Sequence, residues 1–318
     1  MVTGGTGFLG SHLTAKLLER GQSVTAFALE PASNFNAVTG HANYRFVAGD
    51  VRDLATLERL ITPEVACVYH LAAVVGVSRY CSDPVTVIDV NVLGTRNVLS
   101  LAAERGVRVL FASSSEVLGK NPKVPWDEDD DRVLGSTATE RWSYGTTKAL
   151  GEHMVFGLHR HAGLKASIVR FFNVYGPRQA PGFVVSSTVH SVLRGERPKL
   201  YDDGGQTRCF TYVEDAVDAA IRAAEMPEAL GGVFHVGNPR ETRVREVVDC
   251  VLRLTGSDLE PEIVDTRARY GASYEDIPRR VPRVDRASDV LGWQAATGLT
   301  DGIARTIDWA RRNSWWLA

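Results

Sequence analysis

The stretch Val2-Thr3-Gly4-Gly5-Thr6-Gly7-Phe8-Leu9-Gly10 restricts what this chain can fold into more than any other. Gly4, Gly7 and Gly10 recur at G-x-x-G-x-x-G spacing. They lie between a short apolar strand, Met1 to Thr3, and a helical pattern, Ser11 to Arg20, whose apolar side is Leu13, Leu17 and Leu18. One glycine serves a tight strand-to-helix turn, a second lets backbone approach a pyrophosphate, and a third lets helix and strand pack closely. The helix N-terminus adds unpaired N–H groups and partial positive charge. The pattern therefore predicts a dinucleotide cradle built by Gly4, Thr6, Gly7, Phe8, Leu9 and Gly10.

A second strand is expected over Gln22 to Leu29. An acidic residue near its end normally takes the adenine ribose hydroxyls. Ala28 occupies that place here, and Glu30, two residues on, is the acidic group that could substitute. Between Arg20 and Arg45 there is no lysine or arginine to meet a 2′-phosphate, which favours NAD over NADP.

Strand-like runs at Tyr44–Val47, Cys67–Leu71, Val107–Ala112 and Ala166–Phe171 alternate with helical patterns at 54–62, 85–104 and 143–161. This rhythm predicts an α/β fold, a Rossmann-type doubly wound parallel sheet. After about residue 175 the rhythm breaks into short strands, Gly/Pro-rich loops and two helices at 213–225 and 243–255. We therefore expect a cofactor domain over residues 1–172, with some later segments returning to it. Residues 173–318 would form mainly a smaller substrate lobe, with the ligand cleft between the two. The 318 residues suffice for both parts.

A net charge of −2 gives no basic field for nucleic acid or an anionic membrane. The apolar run around Val68 to Val77 is broken by His70 and is too short to span a bilayer. The four cysteines are scattered, without metal-ligand spacing, as expected of free thiols in a reducing cytoplasm. The acidic run Asp127 to Asp131 lacks the alternating ligands of a calcium loop and reads as solvated. His153, His159 and His161 read as a wet helix face, so no metal is expected.

Tyr144 and Lys148, four apart on a predicted helix, share a face. An ammonium beside a tyrosine favours the phenolate, which can take the proton from a hydroxyl whose carbon loses hydride. Ser113-Ser114-Ser115 closes a predicted strand, and such strand ends face the ligand crevice of a parallel sheet.

Together these pieces resemble the extended short-chain dehydrogenases/reductases of the nucleotide-sugar epimerase, dehydratase and decarboxylase group. The resemblance runs over nearly the whole chain. Its markers are Thr3-Gly4-Gly5-Thr6-Gly7, Gly49-Asp50, His70-Leu71-Ala72-Ala73, Asn91-Val-Leu-Gly94-Thr95, the serines, Tyr144/Lys148, Arg170-Phe-Phe-Asn173-Val-Tyr-Gly-Pro177-Arg178 and Gly205-Gln-Thr-Arg208. It implies a catalytic triad of Ser114, Tyr144 and Lys148. Asp50 and Val51 would lie near the adenine, with Leu71, Ala72, Ala73 and Asn91 beside the cofactor. Asn173, Arg178, Tyr201, Arg208 and Arg280 would hold a UDP-sugar. Arg279 reads instead as a surface ion pair. Two residues depart from the family pattern: Cys209, where Asp often follows the arginine, and Leu118, where tyrosine usually follows Glu-Val.

The implied first step is oxidation of the sugar at C4, and the outcome is left open between fates. Ser114-Ser115-Glu116, Arg141-Trp142 and the segment Tyr270 to Asp276 leading to Arg280 resemble UDP-glucuronate decarboxylases. Val174 to Gln179 looks more like the sugar 4-epimerases. The expectation drawn from this balance is a 4-epimerase on UDP-glucuronate or a related UDP-hexose, with decarboxylation as the alternative and Ser115 and Glu116 as further catalytic candidates. A non-catalytic dinucleotide sensor is the remaining class; it would be expected to lack Tyr144 or Lys148. The helices at 85–104 and 143–161 resemble those through which family members form a homodimer.

Overall fold

A computed structural model describes residues 1–31, 38–266, 268 and 275–318. At its centre lies β1 (Val2–Thr3), buried between β2 (Val24–Ala28) and β4 (Cys67–His70). Outward from these run β3 (Tyr44–Ala48) on one side, and β5 (Arg108–Ser114), β6 (Ala166–Phe171) and a later strand, Val233–Val236, on the other. All seven strands are parallel, in the order Val233–Val236, β6, β5, β4, β1, β2, β3. Chain direction across the sheet reverses at β1 and β4. This is the switch point whose carboxyl ends open a crevice.

Helix α1 (Phe8–Glu19) starts three residues earlier than its apolar pattern predicted. Gly10 is therefore inside the first turn rather than before it. The reason is steric: a Cβ at Gly10 would overlap the Gly4 carbonyl oxygen, so only glycine lets the helix begin so close to the strand. Helices α2 (Leu54–Leu60), α4 (Pro84–Arg105) and α5 (Ser143–Ala162) lie where the periodicity placed them. Between α2 and α4 the structure adds α3 (Val77–Ser82), a helix too short to show a period in the sequence.

Beyond β6 the chain forms β7 (Val174–Tyr175), α6 (Val184–Leu193), β8 (Lys199–Tyr201), β9 (Thr207–Cys209), β10 (Thr211–Tyr212) and α7 (Val213–Glu225). Then come β11, the Val233–Val236 edge strand, β12 (Glu241–Arg243) and α8 (Val244–Thr255). β13 (Glu262–Val264) pairs with β8, and β14 (Arg279–Arg280) pairs with β9. The helix at 213–225, read from sequence as part of the C-terminal lobe, packs instead on α1, β5 and β6. Its buried Ala216, Ala219, Ala220, Ala223 and Ala224 let it lie close against the sheet. With β11, it returns to the cofactor half of the molecule. Helix α6, unread in the sequence, packs with α8 on the other side of the cleft.

The contact of α5 with β5 sets the site, and it is tight. Gly151 of α5 faces the fully buried Phe111 of β5, and a Cβ there would overlap the ring. Alanine at position 151 gains about 1 kcal/mol in helix propensity, while overpacking a rigid core costs about 1–3 kcal/mol. Gly151→Ala is accordingly expected to lower stability by about 1 kcal/mol in urea denaturation rather than raise it.

Candidate active site

The glycine loop crosses the carboxyl end of β1. Gly4 turns at φ +68°, a conformation that disfavours side chains. A Cβ there would come within 3.0 Å of the Ala72 amide nitrogen, so the loops after β1 and β4 abut. Gly4 N–H donates to the Phe27 carbonyl (2.7 Å) and Gly7 N–H to the Gly4 carbonyl (3.0 Å). Gly7 is the N-cap of α1, and no side chain caps that end. The first-turn amides around Phe8, Leu9 and Gly10 are thus free of side-chain acceptors and suited to a pyrophosphate. Thr6 Oγ1 donates to the Glu30 carbonyl (2.9 Å), bringing Glu30 to the rim of this loop. These features fit a dinucleotide.

On the adjacent rim, the Asp50 carboxylate accepts from three Arg52 atoms, N, Nε and Nη2, which hold its carboxyl below the usual range. Val51 is buried under α4, where Gly94 leaves room for it. Leu71 N–H donates to the Thr3 carbonyl and Ala72 N–H to Thr3 Oγ1 (3.2 Å each), with Ala73 following in the same loop. Thr3 Oγ1 also meets Nδ1 of buried His70 (2.8 Å), whose Nε2 meets Thr95 (3.1 Å). Burial holds this imidazole neutral, with a pKa of about 3. Asn91 spends its amide on protein: Oδ1 accepts from Val74 N–H (2.8 Å), and Nδ2 donates to the Val74 carbonyl (3.3 Å) and to Thr147 Oγ1 (3.2 Å). In this geometry it bolts the loop after β4 to α5.

Tyr144 and Lys148 project from α5 toward the end of β5, and both are buried. Lys148 Nζ donates to the Ala112 carbonyl (2.7 Å) and lies over the Phe111 and Tyr144 rings. Burial lowers its pKa to about 8, opposed by the charge of Glu152 one helical turn on. The Tyr144 phenol hydrogen-bonds Ser114. Its pKa is raised, first by burial and then by the Glu116 charge, while Ser114 and Arg280 act in the opposite direction. Ser114 also caps the 3₁₀ turn Ser115–Leu118 by accepting from Glu116 N–H (3.2 Å). Ser115 is buried in that turn.

Glu116 is the electrostatic centre of the site. Arg141 donates to it bidentately (Nη1 to Oε2 2.6 Å, Nη2 to Oε1 2.9 Å), and Arg280 Nη1 lies 2.6 Å from Oε1. All three side chains are at least nine-tenths buried. Burial alone would raise the Glu116 pKa; the two guanidinium groups overcome that and hold it below the usual carboxylate range. The trio carries one net positive charge. Arg280 Nε has no hydrogen-bond partner among the described residues.

Arg208 and Arg280 are register partners on adjacent parallel strands, so both side chains project to one face. Arg208 Nη2 pairs with Asp276 (3.0 and 3.1 Å). Arg279 faces the other way and pairs with Glu241 at 2.8 Å, the surface ion pair expected of it. Asn173 (φ +37°) and Arg178 (φ +69°) bracket β7 in strained backbone, and Oδ1 of Asn173 is buried without a hydrogen-bond partner. Burial lowers the Arg178 pKa. Tyr201 ends β8, beside Val264 of β13. Of the segment Tyr270 to Asp276, residues 270–274 lie outside the described residues.

Sequence reasoning missed Arg141 as the partner of Glu116, and it missed Tyr80, which stacks on Tyr144. It also missed Glu152, held by Ser113 (2.5 Å) and by Arg170 (2.8 and 2.7 Å). The i, i+4, i+8 spacing of Tyr144, Lys148 and Glu152 was a usable signal for the last.

A model of the NAD dependent epimerase/dehydratase family matches residues 1–237. The chain is 36% identical over 318 residues to UDP-N-acetyl-alpha-D-glucosaminuronate decarboxylase of Bacillus cytotoxicus, covering 98% of this chain and 97% of that protein. UDP-glucose 4-epimerase of Thermotoga maritima superposes with a TM-score of 0.89 at 29% identity, covering 98% of each chain. MoeE5, solved with UDP-glucuronic acid and NAD, superposes at 0.86 with 33% identity and the same coverage.

Replacing Glu116 leaves two buried cations facing one another. Glu116→Gln is expected to cost about 3–5 kcal/mol of folding stability, read by chemical denaturation; a loss within error of zero would show that the trio is not closed in solution.

Proposed function

The chain belongs to the NAD dependent epimerase/dehydratase family, and within it we propose that this protein is a UDP-hexuronate decarboxylase acting through a 4-keto sugar. This reverses the order of the two outcomes read from sequence, where 4-epimerisation came first. The observation that carries it is the Glu116–Arg141–Arg280 trio beside Tyr144. Its surplus positive charge suits a sugar carboxylate, and the buried Arg280 Nε has no hydrogen-bond partner among the described residues. The Bacillus relative supports the same reading.

The cofactor is NAD, which fits the cradle of Gly4, Gly7, Gly10 and the first turn of α1; when bound it accepts hydride from the sugar C4 and returns it. Tyr144 takes the proton of the C4 hydroxyl, and the Lys148 ammonium, at its ordinary charge below about pH 8, stabilises the resulting phenolate. Ser114 holds the C4 oxygen. A C4 ketone is β to the C6 carboxylate. When the C5–C6 bond breaks, carbon dioxide leaves and the electron pair moves onto the C4 oxygen, where Ser114 and Tyr144 donate hydrogen bonds. A proton from solvent water is then added at C5 as the enolate electron pair returns from the C4 oxygen, and Tyr144 gives its proton to that oxygen as the ketone takes hydride back.

The enclosure of Tyr144 favours this over epimerisation. Epimerisation requires the ketone to swing and present its other face. Tyr80 covers one side of Tyr144 and the charged trio adjoins it, both buried. Decarboxylation returns hydride to the face from which it came, so no such swing is needed. Asn173, Arg178, Tyr201 and Arg208 are proposed to bind the UDP moiety, with the arginines on the diphosphate.

Helices α4 and α5 pack together and leave Val85, Ile88, Leu93 and Leu150 exposed. We place the homodimer contact there. Leu93→Glu is expected to convert a dimer to a monomer in sedimentation velocity; an unchanged species would remove this surface from consideration.

UDP-glucuronate and UDP-N-acetylglucosaminuronate, each incubated with the enzyme and NAD and followed by proton NMR and mass spectrometry, decide the reaction. Loss of carbon dioxide to a UDP-pentose or its 4-keto form is expected. Unchanged mass with an inverted C4 coupling pattern would restore the 4-epimerase. Absence of turnover on both, and on UDP-glucose, would favour the sensor.

A further inference from the structure

Tyr80 lies outside every motif the sequence offered, yet its ring is stacked on that of Tyr144, centroids 4.7 Å apart and planes 5° from parallel. Both rings are buried, at 3% and 5% exposure. The stack is one of the arrangements aromatic pairs favour, with a defined relative orientation.

The segment carrying Tyr80 is fixed from several sides. Asn91 holds both the N–H and the carbonyl of Val74 while bonding Thr147, one turn from Tyr144's own position on α5. Gly76 starts α3 at φ +119°, where side chains are strained. Val74, Val77 and Val87 close around the two tyrosines. Helix α3 packs on the 3₁₀ turn Glu140–Trp142, which leads directly into α5.

The polar contacts of Tyr144 do not by themselves set its plane. Lys148 lies 5.9 Å from the ring centroid and acts as a point charge, and Ser114 bonds only the hydroxyl. We propose that Tyr80 is a positioning residue for Tyr144: the stack fixes the plane in which the phenol meets the sugar hydroxyl, and it shuts water from that face of the ring. This rests on Tyr144 being the proton acceptor, and it holds whether the 4-keto sugar then decarboxylates or epimerises.

The groups facing the phenol are Ser114 on β5, Glu116 on the turn after it, Arg280 on β14, Lys148 on α5 and Tyr80 on α3. Burial raises the phenol's pKa. The base is the phenolate, present above that pKa. Opening one ring face to water lowers the pKa and moves the acidic limb of activity to lower pH.

The test compares Tyr80→Phe, which keeps the stack, with Tyr80→Ala, which removes it, and Tyr80→Leu, which keeps the core filled without an aromatic ring. Tyr80→Phe is expected to match the wild type in kcat and pH profile. Tyr80→Ala is expected to lose about 10- to 100-fold in kcat with little change in KM, and its acidic limb is expected to move down by about 1 pH unit. Tyr80→Leu should lose kcat comparably and serves if the alanine variant fails to fold. Tyrosinate absorbance, titrated against a Tyr144→Phe reference, reads the same shift without substrate. Inactivity of the wild type on every UDP-sugar would therefore count against the proposed reaction and leave the titration to decide on Tyr80. Wild-type kcat and titration in both the alanine and leucine variants would overturn the proposal, as would a phenylalanine variant impaired as far as the alanine one.

Discussion

Three ionised side chains from distant parts of the chain meet in a buried site at Glu116, and the geometry of the cleft depends on that meeting. Arg141 arrives from the turn before α5, Arg280 from a strand of the C-terminal lobe, and Glu116 from the end of β5. A buried carboxylate is costly unless it is paired, and two guanidinium groups do more than pair it. They leave a charge imbalance that an anionic ligand can settle. The same contacts tie the two halves of the molecule together beside Tyr144.

A second buried ion pair lies at the middle of α5. Glu152, one turn beyond Lys148, is held by Arg170 of β6 and Ser113 of β5. Lys148 thereby keeps a negative group behind it while its Nζ is anchored on the Ala112 carbonyl. Burial still lowers the Lys148 pKa to about 8, and the charge of Glu152 limits that fall. Tyr80 of α3 stacks on the Tyr144 ring, while the Lys148 ammonium is held by the Ala112 carbonyl of β5, so phenol and ammonium are held by different elements and different forces.

Much of the cofactor half was legible in the sequence because its constraints are local. Glycine spacing reflects steric limits within one turn, and the helices at 54, 84 and 143 show their apolar period within a single segment. What escaped is instructive. α3 is too short for a period, and α7 shows a clean amphipathic pattern that does not reveal which layer it joins. The start of α1 was misplaced because Gly10 reads as a loop residue until the Gly4 carbonyl is seen against it. In the site, the spacing around Asn91 gave no sign that its amide bonds Val74 and Thr147, because both partners come from other segments.

By itself the sequence determined the parallel α/β architecture and the glycine turn between β1 and α1, and it singled out Ser114, Tyr144 and Lys148, which the fold brings together, since each is written in residues close together or in a spacing that one element fixes. Only the tertiary structure decided that Glu116 is clamped by Arg141 and Arg280, that Tyr80 lies on Tyr144, and that β11 and α7 return to the first sheet. These depend on which distant segments come together when the sheet closes, and no local period or spacing encodes that. The proposal of decarboxylation turns on the first of them, because the charge around Glu116 is a sum over side chains that the sequence keeps far apart.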